Sequence, residues 1–356
     1  MKICMIVPDR LVKGGIASVV NGYRSHGLGS EYEVAYVESY RDGTRWDKLL
    51  KALHGYFDFA GQLRKNRPDL VHIHSSFGPS FYRKMPFIYM AAAKGIPVIN
   101  HIHGADFNMF FTTASERKKK LIRKVYGKCS KLIALSDEWK ENLKQIVPEE
   151  KIVVIENYCV IPEMTNSDLM ETHREVRLLF LGEIGMRKGA FDVPVILSRV
   201  MEKGKRFHMI MAGDGTAADV SRVKEMIREC GLSDKVEFPG WVRGKEKEKL
   251  LKESDVLLLP TYNEGMPMTV LEAMAYGKAI VTTNVGGIPK LIERNVSGFL
   301  CKPGDVSDMA ECILELIECP EKIIKFGEKA REKAVDSYSM EKHIEKLCAL
   351  YEAAAQ

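Results

Sequence analysis

Two carboxylates, Glu264 and Glu272, stand with seven residues between them in the stretch Tyr262-Asn263-Glu264-Gly265-Met266-Pro267-Met268-Thr269-Val270-Leu271-Glu272-Ala273-Met274. The apolar run from Asp255 to Pro260 leads into this stretch and reads as a fully buried strand. Glu264 and Gly265 make the turn, and Pro267 sits where a first helical residue would, its missing N–H costing nothing there. Glu272 then falls a turn or more inside the helix. Between the two acids, the backbone N–H groups of residues around Met266 to Thr269 have no intrahelical acceptor and point out of the helix start. Donors for phosphate flanked by acceptors for hydroxyls suit a phosphorylated sugar. Taken alone, the same residues also describe an ordinary strand–loop–helix unit with solvated acids.

Three further loops follow apolar strands. Lys13-Gly14-Gly15-Ile16 opens a helix; its glycines let backbone approach a phosphate closely, and the helix start adds donors. It is not the G-x-G-x-x-G dinucleotide fingerprint, and a lone Gly-Gly can serve only as a turn. In Asn100-His101-Ile102-His103-Gly104-Ala105-Asp106, strand alternation puts His101 and His103 on one face. His103 falls at the strand end, where a neutral imidazole can donate to and accept from a sugar hydroxyl. His101, like His72 and His74 of another strand, reads as a core histidine, and no third ligand stands at a spacing familiar for a metal. Leu181-Gly182-Glu183-Ile184-Gly185-Met186-Arg187-Lys188-Gly189 opens the second half. Arg187 and Lys188 at a helix start can clamp a diphosphate. Leaving-group charge grows as a sugar–phosphate bond breaks, so fixed cations act mainly on the transition state and can replace a divalent metal. The plain alternative is two surface cations.

Alternating elements must position these loops. The apolar patterning predicts strands near 2–7, 33–38, 70–74, 98–102, 131–135 and 152–155, with helices such as 16–25, 46–64, 80–93 and 116–128 between them. A polar stretch at 163–175 reads as a linker. A second series of strands follows near 176–181, 208–212, 235–238, 256–260, 279–283 and 299–301. Alternation of this kind gives a parallel sheet with helices on both faces, and ligands bind at the carboxyl ends of its strands. The expected architecture is α/β: two doubly wound, Rossmann-like domains facing a cleft, spanning 1–165 and 166–338. An amphipathic helix at 339–356, with Ile344, Leu347, Leu350 and Tyr351 on one stripe, crosses back to the first domain.

At 356 residues, with 46% hydrophobic and 28% charged content, the chain has the composition of a globular protein with room for two cores. No apolar run approaches the roughly 20 residues of a membrane span, and the apolar start ends at Pro8-Asp9-Arg10, too short for a signal peptide. The eight cysteines are scattered without a C-x-x-C pair, which points to reduced thiols in cytoplasm. Residues 1–165 carry 25 Lys and Arg against 17 Asp and Glu, while the remainder carries 28 against 31. Much of the excess lies in Arg117, Lys118, Lys119, Lys120, Arg123, Lys124, Lys128 and Lys131, just after Phe107-Asn108-Met109-Phe110-Phe111. Basic residues beside exposed aromatics suit an anionic membrane surface; a solvated helix face is the simpler account. Nucleic acid is not expected, because no stacking platform interleaves the basic residues.

Together these loops resemble the family-4 retaining glycosyltransferases of GT-B fold, as do Ala212-Gly213-Asp214-Gly215, Val285-Gly286-Gly287-Ile288-Pro289 and the segment from Asn295 to Asp305. The resemblance runs over nearly the whole chain, most specifically over 176–305. It implies a first domain that binds an acceptor and a second that binds a nucleotide-sugar donor, with sugar transfer as the activity. Lys188, with Arg187, would bind the donor diphosphate, and Gly14 and Gly15 would cover it. Glu264, with the N–H groups of Gly265, Met266, Met268 and Thr269, would hold the donor sugar, and Glu272 the ribose. His103 and Glu264 would lie at the reacting carbon, and Val242 would face the base. The resemblance further implies retained configuration, no metal or other cofactor, and a UDP-sugar in preference to a GDP-sugar. The acceptor would attack the face the diphosphate leaves, a leaving-group oxygen taking the proton.

Two positions depart from the pattern. Glu183 stands where many relatives have Arg, so Glu183 would point away and Arg187 supply the lost charge; Lys290 stands where relatives often carry Glu. The stretch His103-Gly104-Ala105-Asp106-Phe107 and the basic helix after it are similar to relatives that build capsule, O-antigen or exopolysaccharide on lipid-linked acceptors. Peripheral attachment to the inner face of the cytoplasmic membrane through residues 107–124 is therefore expected. A nucleotide-sugar 2-epimerase and a non-catalytic partner subunit remain as alternatives on the same fold.

Overall fold

Six apolar runs of the first half form one parallel sheet in the computed structural model, which describes residues 1–25, 28–164 and 175–355. They are β1 (Lys2–Val7), β2 (Glu33–Glu38), β3 (Leu70–Ser75), β4 (Val98–Ile102), β5 (Lys131–Ala134) and β6 (Ile152–Val154), ordered β2-β1-β3-β4-β5-β6. β3 is buried at every position, as a parallel strand covered on both faces requires. Six more strands form a second parallel sheet: β7 (Val176–Leu181), β8 (Phe207–Ala212), β9 (Val236–Gly240), β10 (Val256–Leu259), β11 (Ala279–Thr283) and β12 (Phe299–Cys301). Its order is β12-β11-β10-β7-β8-β9. The strand order reverses between β1 and β3 in one sheet and between β7 and β10 in the other, and those two places are where ligands of such sheets bind.

The chain divides into two compact units, Met1–Tyr158 with Met340–Gln356, and Cys159–Ser339. The final helix, Met340–Ala355, packs on β3 of the first unit. It buries Leu347, Leu350 and Tyr351 of the expected stripe, leaves Ile344 half-buried, and adds His343. Most of the expected linker at 163–175 lies outside the described residues. Among the described residues no helix is long and apolar enough to cross a membrane.

On the first sheet, the helix Arg45–Lys65 packs beside Pro79–Ala92, which packs beside Glu116–Tyr126. Here one expectation fails. Phe107, Phe110 and Phe111 are buried, joined to Phe77, Phe81 and Trp139 in the core, and of that stretch Met109 is exposed. Burying each ring stabilises by about 1.5–3 kcal/mol, which outweighs any preference for a surface. Lys118, Lys119 and Arg123 lie over Phe110 and Phe111, so part of the basic segment caps this cluster. An exposed apolar stripe lies elsewhere: Trp46, Leu49, Leu50, Leu53 and Phe57 run along Arg45–Lys65.

Candidate functional site

The loops after β7 and β10 meet where the second sheet's strand order reverses. The first loop makes a short 3-10 turn, Met186–Lys188, and ends at Gly189 with φ of +69°, where a Cβ would lie 1.9 Å from the Pro260 carbonyl oxygen. That close approach lets Lys188 reach the second loop. Its Nζ donates to Glu264 Oε1, and Thr261 Oγ1 donates to the same oxygen at 3.2 Å. The Arg187 guanidinium stands 3.8 Å from Glu264 Oε2. Lys188 and Glu264 are both buried. Taking each charge out of water costs several kcal/mol unless it is paired and hydrogen-bonded, so each group fixes the other in place. Arg187 also pairs with Glu183 at 3.0 Å and donates to the Asn263 carbonyl at 3.3 Å. Glu183 is thus the partner of Arg187, in an exposed pair of the kind worth about 0–1 kcal/mol.

The Glu264-Gly265 turn rests on a backplate of glycines. Gly286 has φ of +53° and approaches so closely that a Cβ would lie 1.8 Å from the Glu264 carbonyl oxygen. The Gly287 N–H donates to the Gly265 carbonyl at 2.8 Å. The helix after the turn is Met268–Ala275, so Pro267 is its extended cap rather than its first residue, and it adds no side-chain capping bond. The first-turn N–H groups still lack intrahelical acceptors. Thr269 Oγ1 is buried there without a hydrogen-bond partner. Further along, Glu272 pairs with Lys247 Nζ at 2.6 Å, a partner with no signal in the sequence beyond the lysine-rich character of Lys245–Glu253. Val242 is buried between β9 and that helix.

The structure thus brings Arg187, Lys188, Glu264 and Gly265 together, with Met266, Met268, Thr269 and Glu272 on the turn and helix that follow. Gly14, Gly15 and His103 belong to the other unit. Gly14 and Gly15 line a cavity of about 240 Å³ at the ends of β1 and β3. His103 directly follows β4; its backbone N–H donates to the Ser75 carbonyl at 2.8 Å and its Nε2 lies 2.9 Å from His74 Nδ1.

Behind His103 lies a histidine cluster that the sequence shows only as scattered residues. His72 Nδ1 meets the Tyr351 hydroxyl at 2.5 Å, and His343 Nε2 meets the Tyr23 hydroxyl at 2.6 Å. His343 Nδ1 lies 2.7 Å from the Glu156 carbonyl, which can only accept, so Nδ1 carries the proton. Burial, then the neighbouring His343, pushes the pKa of His103 down to about 3. Burial, then other histidines, lowers His72 to about 3 and holds His74 and His101 well below the usual range. His74 Nε2 is buried without a partner. A proton on His74 Nδ1 gains an acceptor in His103 Nε2, and His103 then presents Nδ1–H as a donor. His72, His74 and His101 bring nitrogens within 4.8 Å of one another, a grouping that strand pairing creates and sequence spacing hides. It contains no carboxylate, and the Lys84 ammonium adds positive charge at His74, so it suits neutral imidazoles better than a dication.

Two doubly wound sheets, one of them carrying a cation–carboxylate pair beside a helix start where its strand order reverses, make a two-unit α/β protein with charged loops at a place where such sheets bind ligands. Comparison with known proteins agrees. Residues 166–333 match the model of glycosyl transferases group 1, and residues 12–158 match that of glycosyltransferase family 4. The amylovoran biosynthesis glycosyltransferase AmsK of Erwinia amylovora is 28% identical over 280 residues, 76% of this chain and 67% of that protein. The UDP-Gal:alpha-D-GlcNAc-diphosphoundecaprenol alpha-1,3-galactosyltransferase of Escherichia coli is 25% identical over 328 residues, 85% of this chain and 80% of that one. The structure of Anabaena HepE in complex with UDP-glucose superposes with a TM-score of 0.78 at 17% identity, covering 99% of this chain and 100% of that one. The chain belongs to the family-4, group 1 glycosyltransferases and has their GT-B fold.

Proposed function

We propose that this glycosyltransferase moves a sugar from a UDP-sugar, with retention and without a metal, to a lipid-linked glycan during assembly of a cell-surface polysaccharide. The observation that carries the reading is the buried Lys188–Glu264 pair beside the open start of Met268–Ala275. In this reading Lys188 and Arg187 bind the donor diphosphate and stabilise its growing charge, Glu264 and the adjoining N–H groups orient the sugar, and Glu272 takes the ribose. His103 donates to the sugar near the reacting carbon, and Gly14 and Gly15 cover the diphosphate. Residues 166–338 are then the donor domain and 1–165 the acceptor domain. HepE, which shares the fold, binds UDP-glucose, and the Escherichia coli relative is named for a lipid-diphosphate acceptor. A thermal-shift screen of sugar nucleotides tests the donor: at about 100 times its Kd, the true one stabilises by roughly 2.7 kcal/mol. Donor incubated alone separates transfer, which gives slow hydrolysis, from epimerisation. Turnover that vanishes in EDTA and returns with divalent ions would contradict the metal-free reading.

Peripheral attachment to an anionic membrane is part of the same reading. The exposed apolar stripe on Arg45–Lys65 supplies the insertion, and the basic helix Glu116–Tyr126, two helices along, supplies the charge. Flotation with anionic vesicles should fall both for Trp46→Ser/Phe57→Ser and after charge reversal at Lys118, Lys119 and Lys120. Unchanged flotation in both would remove the membrane from the proposal.

A further inference from the structure

Where the first sheet's strand order reverses, the cavity of about 240 Å³ opens between the loop after β1 and the helix Pro79–Ala92. Cations and hydroxyls line it, and no Asp or Glu does. Arg83 lies with its guanidinium 4.5 Å from the centre of the Tyr40 ring, and its Nε is buried without a hydrogen-bond partner. Lys84, the next residue, is 2% exposed. Its ammonium donates to the Ile6 carbonyl at 3.1 Å and Ser39 Oγ at 2.5 Å, both neutral, which uses two of its three N–H donors. Neither Arg83 nor Lys84 has a carboxylate partner among the described residues. Burial, then the adjacent Arg83 charge, holds the Lys84 pKa well below the usual lysine range. Ser80 Oγ accepts from the Ser76 N–H at 3.1 Å, so its own hydrogen remains to donate. Asp42, close by, accepts from the Lys13 N–H and the Tyr40 hydroxyl.

Adjacent, desolvated cations without a counter-charge are costly, and an anion relieves that cost. We propose that this cavity binds the anionic group of the acceptor, a phosphate or carboxylate, between Arg83 and Lys84 with Ser80 donating to it. The proposal rests on the transferase reading above and names the acceptor's chemistry. The donor diphosphate is the other source of the same charge, since Gly14 and Gly15 line the cavity, but in that reading it has Arg187 and Lys188 as its cations.

Thermal shift of the full chain in inorganic phosphate, against sodium chloride of equal ionic strength, tests this with and without saturating UDP or GDP, whichever stabilises the wild type. Phosphate should stabilise the wild type beyond chloride, and should do so equally with nucleotide bound. Arg83→Gln should weaken the phosphate effect about tenfold and change nucleotide affinity by less than about twofold. Lys84→Met should act likewise; if it does not fold, the half-buried Arg83 decides alone. A phosphate effect that disappears once nucleotide is bound assigns the cavity to the donor and overturns the proposal. So does an effect no larger than that of chloride, or one that survives Arg83→Gln. If neither nucleotide stabilises the wild type, the proposed uridine or guanosine donor fails, while the phosphate series still decides whether the cavity binds anions.

Discussion

The unit Cys159–Ser339 buries a charged pair, Lys188 against Glu264, whereas the other unit buries four imidazoles, His72, His74, His101 and His343, around β3 and β4, with a fifth, His103, half-buried beside them. Both sets lie at or beneath the carboxyl ends of a parallel sheet, and both are shielded from water. They meet the cost of desolvation differently. A lysine and a glutamate keep their charges by neutralising each other at contact distance. A histidine needs no counter-charge, because it sheds its proton when burial disfavours the cation. One arrangement presents fixed charge for a diphosphate; the other presents neutral donors and acceptors for hydroxyls.

The largest effect should come from breaking the pair. Lys188→Ala leaves the buried Glu264 charge with the Arg187 guanidinium at 3.8 Å and the Thr261 hydroxyl as its remaining partners, and the second unit should lose up to about 3–5 kcal/mol of stability. Transfer should fall at least about 10²-fold, the scale seen when one preorganised transition-state donor is removed. Unfolding curves and initial rates with labelled sugar nucleotide check both. The double variant Lys188→Met/Glu264→Leu should regain stability but not turnover; recovered turnover would show that the pair is only a packing element.

Acid should separate the units next. The histidine pKa values are lowered on folding, to about 3 for His72 and His103 and about 4 for His343. The unfolded chain therefore binds more protons below about pH 6.5, and this stability is present above that pH and lost as pH falls toward 4. Each buried histidine should contribute a slope of about 1.4 kcal/mol per pH unit in that window. Denaturant unfolding at pH 7.5, 6 and 5, read unit by unit, should show Met1–Tyr158 weakening first. Equal weakening of both units would remove the contrast.

Gly286→Ala probes the backplate. Its positive φ alone should cost about 1–3 kcal/mol, and the added methyl must displace the Glu264 carbonyl, so donor-induced thermal stabilisation should shrink as well. The smallest effect belongs to Glu183→Gln. Stability should stay within about 0.5 kcal/mol, as for most surface changes. Donor should bind more tightly, because Arg187 is released toward the diphosphate; weaker binding would mean that Glu183 holds Arg187 in its working position.

Much of the fold was legible in the chain, because buried parallel strands are continuous apolar runs and their helices carry a 3.6-residue stripe. Boundaries differ by one or two residues where a cap decides them, as at Gly127, which ends the helix expected to run to 128. The loops carrying Lys188 and Glu264 were legible because each is a local strand–loop–helix signal. Their contact was not, since it depends on β7 and β10 being neighbours in the sheet. Lys247 beside Glu272 and Gly286 beneath Glu264 were hidden for the same reason. Phe107, Phe110 and Phe111 were misplaced because composition shows aromatics beside lysines but not the rings of Phe77, Phe81 and Trp139 that cover them. The strand-end position of His103 was legible, while its hydrogen-bonded neighbour His74 lies on another strand.

The helix Met340–Ala355 sets the order in which the chain is completed. It supplies Tyr351 to His72 and His343 to Tyr23, partners 279 and 320 positions away. Domains generally close N-terminal first as they leave the ribosome. Here Cys159–Ser339 is contiguous and can close while translation continues, whereas the opening segment must wait, with His72 and Tyr23 unmatched, until Met340–Ala355 emerges. A chain stopped short of Met340 would hold a finished middle and an unfinished beginning.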